Sequence, residues 1–178
     1  GLSVATDEDN AYYIPVGHDY EGAPKQLDRD EVLKKLKPII EKTPLIGQHL
    51  KFDRNVLANY DIHLNVIEND TMLMSYVYDP TATRHNLDAM ASHYLNVKTT
   101  TFEDVAGKGV KQLTFNQIPL EKASDYAAED ADITFRCYSH LKPALAKTPS
   151  LEKVLHEIEL PLVPVPVSYT HLTLPTMS

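Results

Sequence analysis

Hydrophobic and polar positions along the chain switch between a period of two and a period near 3.6, and each switch predicts an element. Two alternating blocks, Leu2-Ser3-Val4-Ala5-Thr6 and Ala11-Tyr12-Tyr13-Ile14-Pro15-Val16, flank the turn-forming run Asp7-Glu8-Asp9-Asn10; this reads as a β-hairpin. Val32, Leu33, Leu36, Ile39 and Ile40 recur at helical spacing. Asp28 stands three residues before Glu31, where it can serve free backbone donors, so a helix is expected over Arg29–Lys42. Pro38 should kink that helix or shorten its regular part. Leu45-Ile46-Gly47-Gln48 reads as a strand running directly into a helix that carries Phe52, Val56, Leu57 and Tyr60. Val66 and Ile67 suggest a further strand, and Thr71 to Tyr78 a helix stopped by Asp79-Pro80.

Asn86 to Leu95 is expected to be helical, with Leu87, Met90, Ala91 and Tyr94 on one face. Thr99 to Asn116 is mixed, with a loop at Gly107-Lys108-Gly109. Leu120 to about Leu145 is one long helix, and a last helix from Val154 to Val163 runs out at Pro161 and Pro164. Strands alternating with helices favour an α/β domain with helices packed around a central sheet.

Composition narrows the picture. The 178 residues, 43% hydrophobic and 24% charged, suit one ordinary domain with a real core. A net charge of -8 argues against coating nucleic acid by bulk electrostatics but leaves a local site open. A single cysteine, Cys137, makes no internal disulfide, and no apolar run approaches the roughly 20 residues of a membrane span. A reducing, cytoplasmic setting is expected. The chain opens on Gly1, shows no targeting peptide and reads as a fragment.

Two stretches could carry chemistry. In Gly47-Gln48-His49-Leu50-Lys51-Phe52-Asp53 a strand ends and a helix begins, so Asp53 lies at the rim of the sheet, where open α/β folds hold ligands. In Tyr126-Ala127-Ala128-Glu129-Asp130, Tyr126 and Asp130 are four apart and share a helix face. If one cavity receives all three, two carboxylates and a phenol converge, a donor set that suits magnesium or manganese better than zinc. Each signal has a plain alternative. Asp53 can be a helix cap, Tyr126 can simply pack, and Glu129, Asp130 and Asp132 can form a solvated acidic face. The eight histidines offer no close metal-binding pair, Gly107-Lys108-Gly109 lacks the full phosphate-loop pattern, and neither a serine elbow nor a reactive setting for Cys137 is seen.

Taken together, the two motifs, Ala11 to Tyr20, Asp70-Thr71-Met72-Leu73, Arg84-His85, Ala106 to Gly109, Gln112 to Ile118 and Glu159 to Val165 carry an extended resemblance. From Gly1 to about Val165 the chain resembles the proofreading 3′–5′ exonuclease domains of bacterial type I DNA polymerases. These are ribonuclease-H-like exonucleases with four acidic residues and a tyrosine. The resemblance implies that fold, a mixed sheet flanked by helices, and two divalent metal ions, Mg2+ or Mn2+, at the phosphodiester of the 3′-terminal nucleotide. It assigns Asp53 and Asp130 as metal ligands and Tyr126 as the group orienting the attacking water. Gln48, Arg84 and Phe102 fall at positions that contact the terminal nucleotides, Phe102 as a stacking surface and Arg84 as a phosphate partner. Phe102 can equally be core, and Arg84 can pair with a nearby acid. His49 stands where the family commonly has asparagine, which puts one substrate hydrogen bond in question. The implied partners are a single-stranded or frayed 3′ end of DNA and the polymerase domain of the same parent chain.

The family's Asp-x-Glu motif, on the first and central strand, would lie upstream of Gly1. The isolated chain is therefore expected to lack that strand, to be poorly stable and to be inactive. Residues 1–150 are read as a partial exonuclease domain and 151–166 as the start of the junction to a polymerase domain. Residues 167–178 are read as a processing scar, because Val167 to Thr176 matches one translated frame of a common transposon sequencing adapter. Two other readings remain: a stand-alone ribonuclease-D-like enzyme trimming RNA 3′ ends, and an exonuclease-like domain that has lost catalysis and serves as a structural platform.

Overall fold

The computed structural model describes residues 1–8 and 10–165. The adapter-like run from Val167 lies outside the described residues, as does the last residue of the 151–166 junction. The expected hairpin forms from β1 (Leu2–Ala5) and β2 (Ala11–Ile14), antiparallel with Leu2 opposite Ile14 and Ala5 opposite Ala11. Helix α1 (Arg29–Ile40) starts where Asp28 accepts a hydrogen bond from the Glu31 amide at 3.0 Å. Pro38 falls in the last turn, and the helix ends at Ile40, short of the expected Lys42.

Strand β3 (Leu45–Gly47) pairs in parallel with β4 (Ile67–Asp70), placing Gly47 beside Asp70. Helix α2 (Leu50–Ala58) follows β3, and α3 (Thr71–Tyr78) follows β4 directly. The two strand pairs are not hydrogen-bonded to each other, so the expected mixed sheet is present as one antiparallel and one parallel pair. The central strand that the resemblance places between them is not among the described residues.

The 86–95 segment departs from one regular helix. Asn86 caps α4 (Leu87–Met90), after which Ala91–Leu95 widens into a π turn ending at Asn96 in the left-handed region. The expected apolar face survives, since Met90 and Ala91 are fully buried. Helix α5 (Phe102–Ala106) carries a capping box between Thr101 and Asp104. The C-terminal segment begins earlier than its periodicity suggests, as α7 (Pro149–Val154), a π turn and α8 (Leu160–Leu162).

Helix α6 (Leu120–Ala146) is the spine. Its Ile133, Cys137, Leu141 and Leu145 pack with Met74 of α3, Met90 of α4, and Leu155 and Leu160 from the C-terminal segment. Burial pushes the Cys137 thiol up to about 12, so it behaves as a small apolar group. The hairpin and β3 also pack against α6. Buried His18 ties the segment after the hairpin to the approach to α6: its Nδ1 lies 3.1 Å from the Ile118 carbonyl and its Nε2 2.8 Å from the Tyr13 hydroxyl. Gln26 clamps the His18 backbone, accepting from its N–H and donating to its carbonyl, each at 2.8 Å. Leu141 is fully buried at the centre of the main cluster, so Leu141→Ala should lower stability by about 2–5 kcal/mol in urea unfolding followed by circular dichroism.

Candidate active site

The first half of the site is the junction from β3 to α2. His49 turns the chain in the left-handed region, φ 60° and ψ 48°, a conformation histidine adopts more readily than most residues. Gly47 has no Cβ because one would overlap the Leu50 side chain, which folds back over the end of β3. The His49 side chain makes no cap bond. Asp70, at the end of β4, supplies the acceptors: the His49 amide donates to its Oδ1 at 3.1 Å and the Leu50 amide to its Oδ2 at 2.7 Å. The same carboxylate caps α3, accepting from the Met72 and Leu73 amides at 3.0 and 3.4 Å.

Asp53 is therefore free of the capping role. It sits in the first turn of α2 with its residue exposed at the rim. The protein around its carboxyl, then the negative charge of Asp70, push its pKa up to about 6, with His49 opposing.

The second half is the N-terminal part of α6. The half-buried ring of Tyr126 stands edge-on to Phe102 with centroids 6.2 Å apart, and lies 6.2 Å from Phe115. Burial, then the negative charge of Asp130 one helical turn away, hold its phenol above the ordinary tyrosine range, so it stays protonated beside Asp130. Asp130 is itself pushed up to about 6 by burial, opposed by the Tyr126 hydroxyl and reinforced by the charges of Asp88 and Glu129. Asp88, from α4, accepts a 2.6 Å hydrogen bond from the Thr99 hydroxyl. Glu129 accepts from the Thr100 amide at 3.0 Å and so fastens the loop leading to Phe102, which a merely solvated acid would not do.

The residues assigned to nucleotide contact divide. Gln48 is committed internally: its amide nitrogen donates to the His85 carbonyl at 2.9 Å and its oxygen accepts from the Thr71 hydroxyl at 2.5 Å. His85, at φ 57°, holds its own loop, with Nε2 facing the Pro80 carbonyl at 3.1 Å and Nδ1 facing the Ser75 hydroxyl at 2.8 Å. The neighbouring Arg84 is exposed and makes no ion pair among the described residues. Phe102 is 36% exposed, a ring at the rim and not in the core. His49 is exposed and close enough to Asp53 to act on its charge.

The structure brings Tyr126, Asp130 and Phe102 together in one group, and Asp53 and His49 in another. No hydrogen bond, ion pair or ring contact joins Asp53 to Tyr126 or Asp130 among the described residues. Strand β3, which leads into α2, packs on α6. A cleft of about 560 Å³ runs beside Tyr126, lined also by Thr100, Val105, Lys122, Asp125, Glu129 and Asp132. Among the described residues, no three His, Cys, Asp or Glu side chains are arranged to hold a metal. Asp70 and Asp88 are given no role by a reading of motifs. Asp70 stands in sequence within the resembling stretch Asp70-Thr71-Met72-Leu73, just before a helix, while its reach to α2 needs the β3–β4 pairing; Asp88 carries no local signal.

A family model described as 3′-5′ exonuclease matches residues 1–146. The chain belongs to this family. It is 54% identical over 169 residues to DNA polymerase I of Pseudomonas aeruginosa, covering 93% of this chain and 18% of that protein. It is 36% identical over 165 residues to DNA polymerase I of Rhizobium leguminosarum, covering 87% of this chain and 16% of that protein. The chain thus spans under a fifth of the length of these relatives. Among solved structures it is similar to the POL domain of Pol1 from M. smegmatis in complex with DNA primer-template and dNTP. The TM-score is 0.58 at 20% identity, over 78% of this chain and 21% of that one, a likeness of fold. No described helix is long and apolar enough to cross a membrane.

The raised carboxylates of this exonuclease-family chain set a pH dependence. Asp53 and Asp130 each titrate near 6 in the folded chain against an ordinary 3.8. Between those values the folded state binds more protons than the unfolded one, so their contribution to stability falls as pH rises from about 4 to above 6. Asp53→Asn and Asp130→Asn should therefore raise the metal-free melting temperature relative to wild type at pH 7.5 and change it far less at pH 4.5, as followed by thermal melts at both values.

Proposed function

We propose that this chain is the editing domain of a longer DNA polymerase, hydrolysing the 3′-terminal phosphodiester of a single-stranded or frayed DNA end. The observation that carries this reading is the pair of carboxylates, Asp53 in the first turn of α2 and Asp130 on α6, each raised to about 6, with Tyr126 one turn from the second on the same helix. Carboxylates so raised lack sufficient compensating positive charge, and hard oxygen donors of this kind fit Mg2+ or Mn2+. Asp53 and Asp130 would hold such ions, with the upstream Asp-x-Glu of the resemblance completing the ligand set. When bound, two such ions lower the pKa of the attacking water and offset the charge that develops on the leaving oxygen.

The chain's own residues supply orientation. In this reading the Tyr126 hydroxyl, kept protonated beside Asp130, offers lone pairs that accept a hydrogen from water and fix its line of attack, without the phenol losing its own proton. Water oxygen forms the new bond to phosphorus, the bond to O3′ breaks, and O3′ ends protonated. In this reading the exposed Arg84 meets a phosphate and the partly exposed ring of Phe102 stacks on a base. Gln48 serves these contacts indirectly, because both ends of its amide are spent holding β3 to the His85 loop and to Thr71. His49 lies beside Asp53 with a ring free to donate to substrate. A single-stranded end needs only these few contacts, so a net charge of -8 is no obstacle.

The relatives' being DNA polymerases supports DNA over RNA as substrate. In the full-length parent, Asp53→Ala and Asp130→Ala should each lower magnesium-dependent trimming of a mismatched 3′ end by roughly 10³-fold or more, in line with the loss of several kcal/mol of charge stabilisation. Tyr126→Phe should cost about 10²-fold. Primer extension by the same variants is expected to hold. Unchanged trimming in all three would leave a structural platform as the better reading.

A further inference from the structure

We propose that Asp70 is a positioning residue for Asp53, holding the first turn of α2 in place through backbone hydrogen bonds while staying out of reach of any ligand itself. The inference rests on the reading of Asp53 as a metal ligand. Asp70 is 1% exposed, so it touches neither substrate nor solvent. A buried carboxylate needs donors, and this one has them from two directions. Oδ1 accepts from His49, Met72 and Leu73, and Oδ2 accepts from Leu50.

A cap for α3 alone would need a single oxygen, which serine or asparagine could provide. The second oxygen is spent on α2, a helix whose own N-cap residue contributes no side-chain bond. Asp70 also pairs with Gly47 across the β3–β4 ladder, so its carboxylate reaches the backbone that leaves β3. It thereby fixes the start of α2 relative to α3. Asp53 lies one turn further along α2, and any tilt or fraying at Leu50 displaces its carboxylate. Groups that bind metal or substrate lose function when displaced by distances on the order of 0.5 Å.

The test uses Asp70→Asn and Asp70→Ser in the full-length parent polymerase, with Asp53→Asn alongside. Serine keeps a cap for α3 and gives up the bonds to α2, so it supplies a folded variant should asparagine, whose amide faces the Leu50 N–H, prevent folding. In both Asp70 variants, amide hydrogen exchange over residues 48–58 should quicken severalfold, while in Asp70→Ser the α3 amides stay near wild type. Mn2+ affinity, read by electron paramagnetic resonance against Asp53→Asn, should fall about 10- to 100-fold. The kcat for 3′ trimming should fall by a similar factor with KM for a single-stranded oligonucleotide little changed.

Unchanged exchange across α2 would overturn the proposal. So would quickened exchange with wild-type kcat and Mn2+ affinity. If Asp53→Asn itself leaves Mn2+ binding and trimming intact, the reading of the site fails, and with it the proposed role of Asp70. If Asp53→Asn abolishes them while the Asp70 variants do not, only the positioning role fails.

Discussion

Helix α6 imposes the constraint from which most of this molecule follows, because one stripe of it serves two purposes. Ile133, Cys137, Leu141 and Leu145 recur at helical spacing and bury themselves against α3, α4 and the C-terminal segment. Continued toward the N-terminus, the same stripe reaches Asp130 and Tyr126 at steps of three and four residues. The helix that anchors the core therefore turns a carboxylate and a phenol inward. Their burial, and the charge effects that come with it, are consequences of where the stripe points.

The two halves of the candidate site are held by different physics. On α6, position is fixed by apolar packing over many turns, and it tolerates polar neighbours such as Glu129 because the Thr100 amide satisfies that carboxylate. At the β3–α2 junction, position rests on polar bonds to a single buried acid, aided by a left-handed turn at His49 and by a glycine over which Leu50 closes. The first arrangement is robust to small changes, whereas the second concentrates its precision in a few atoms.

This difference explains what could be read from the sequence. The long helix, the hairpin, the strand running into α2 and the shared face of Tyr126 and Asp130 all follow from local periodicity, which the structure reproduces within a few residues. Asp53 was legible as a rim residue, but whether it capped α2 was not, since the true acceptor lies on another strand 17 residues later. The π turn after Met90 was equally hidden, because the apolar face that predicts a regular helix is retained through it. Gln48 looked like a contact to substrate, and only the positions of His85 and Thr71 reveal where its amide is spent. Periodicity reports which face is inward; it is silent on which polar partners meet across the core.

The chain's only cysteine has a practical consequence. Cys137 is fully buried in the centre of α6, and its thiol is pushed up to about 12, so at neutral pH it offers almost no thiolate to an electrophile. The folded domain is thus chemically silent toward maleimides and haloacetamides. A thiol engineered on any solvent-facing position of it would react alone, which opens the rim beside Phe102 to a spectroscopic label without first removing the native sulfur.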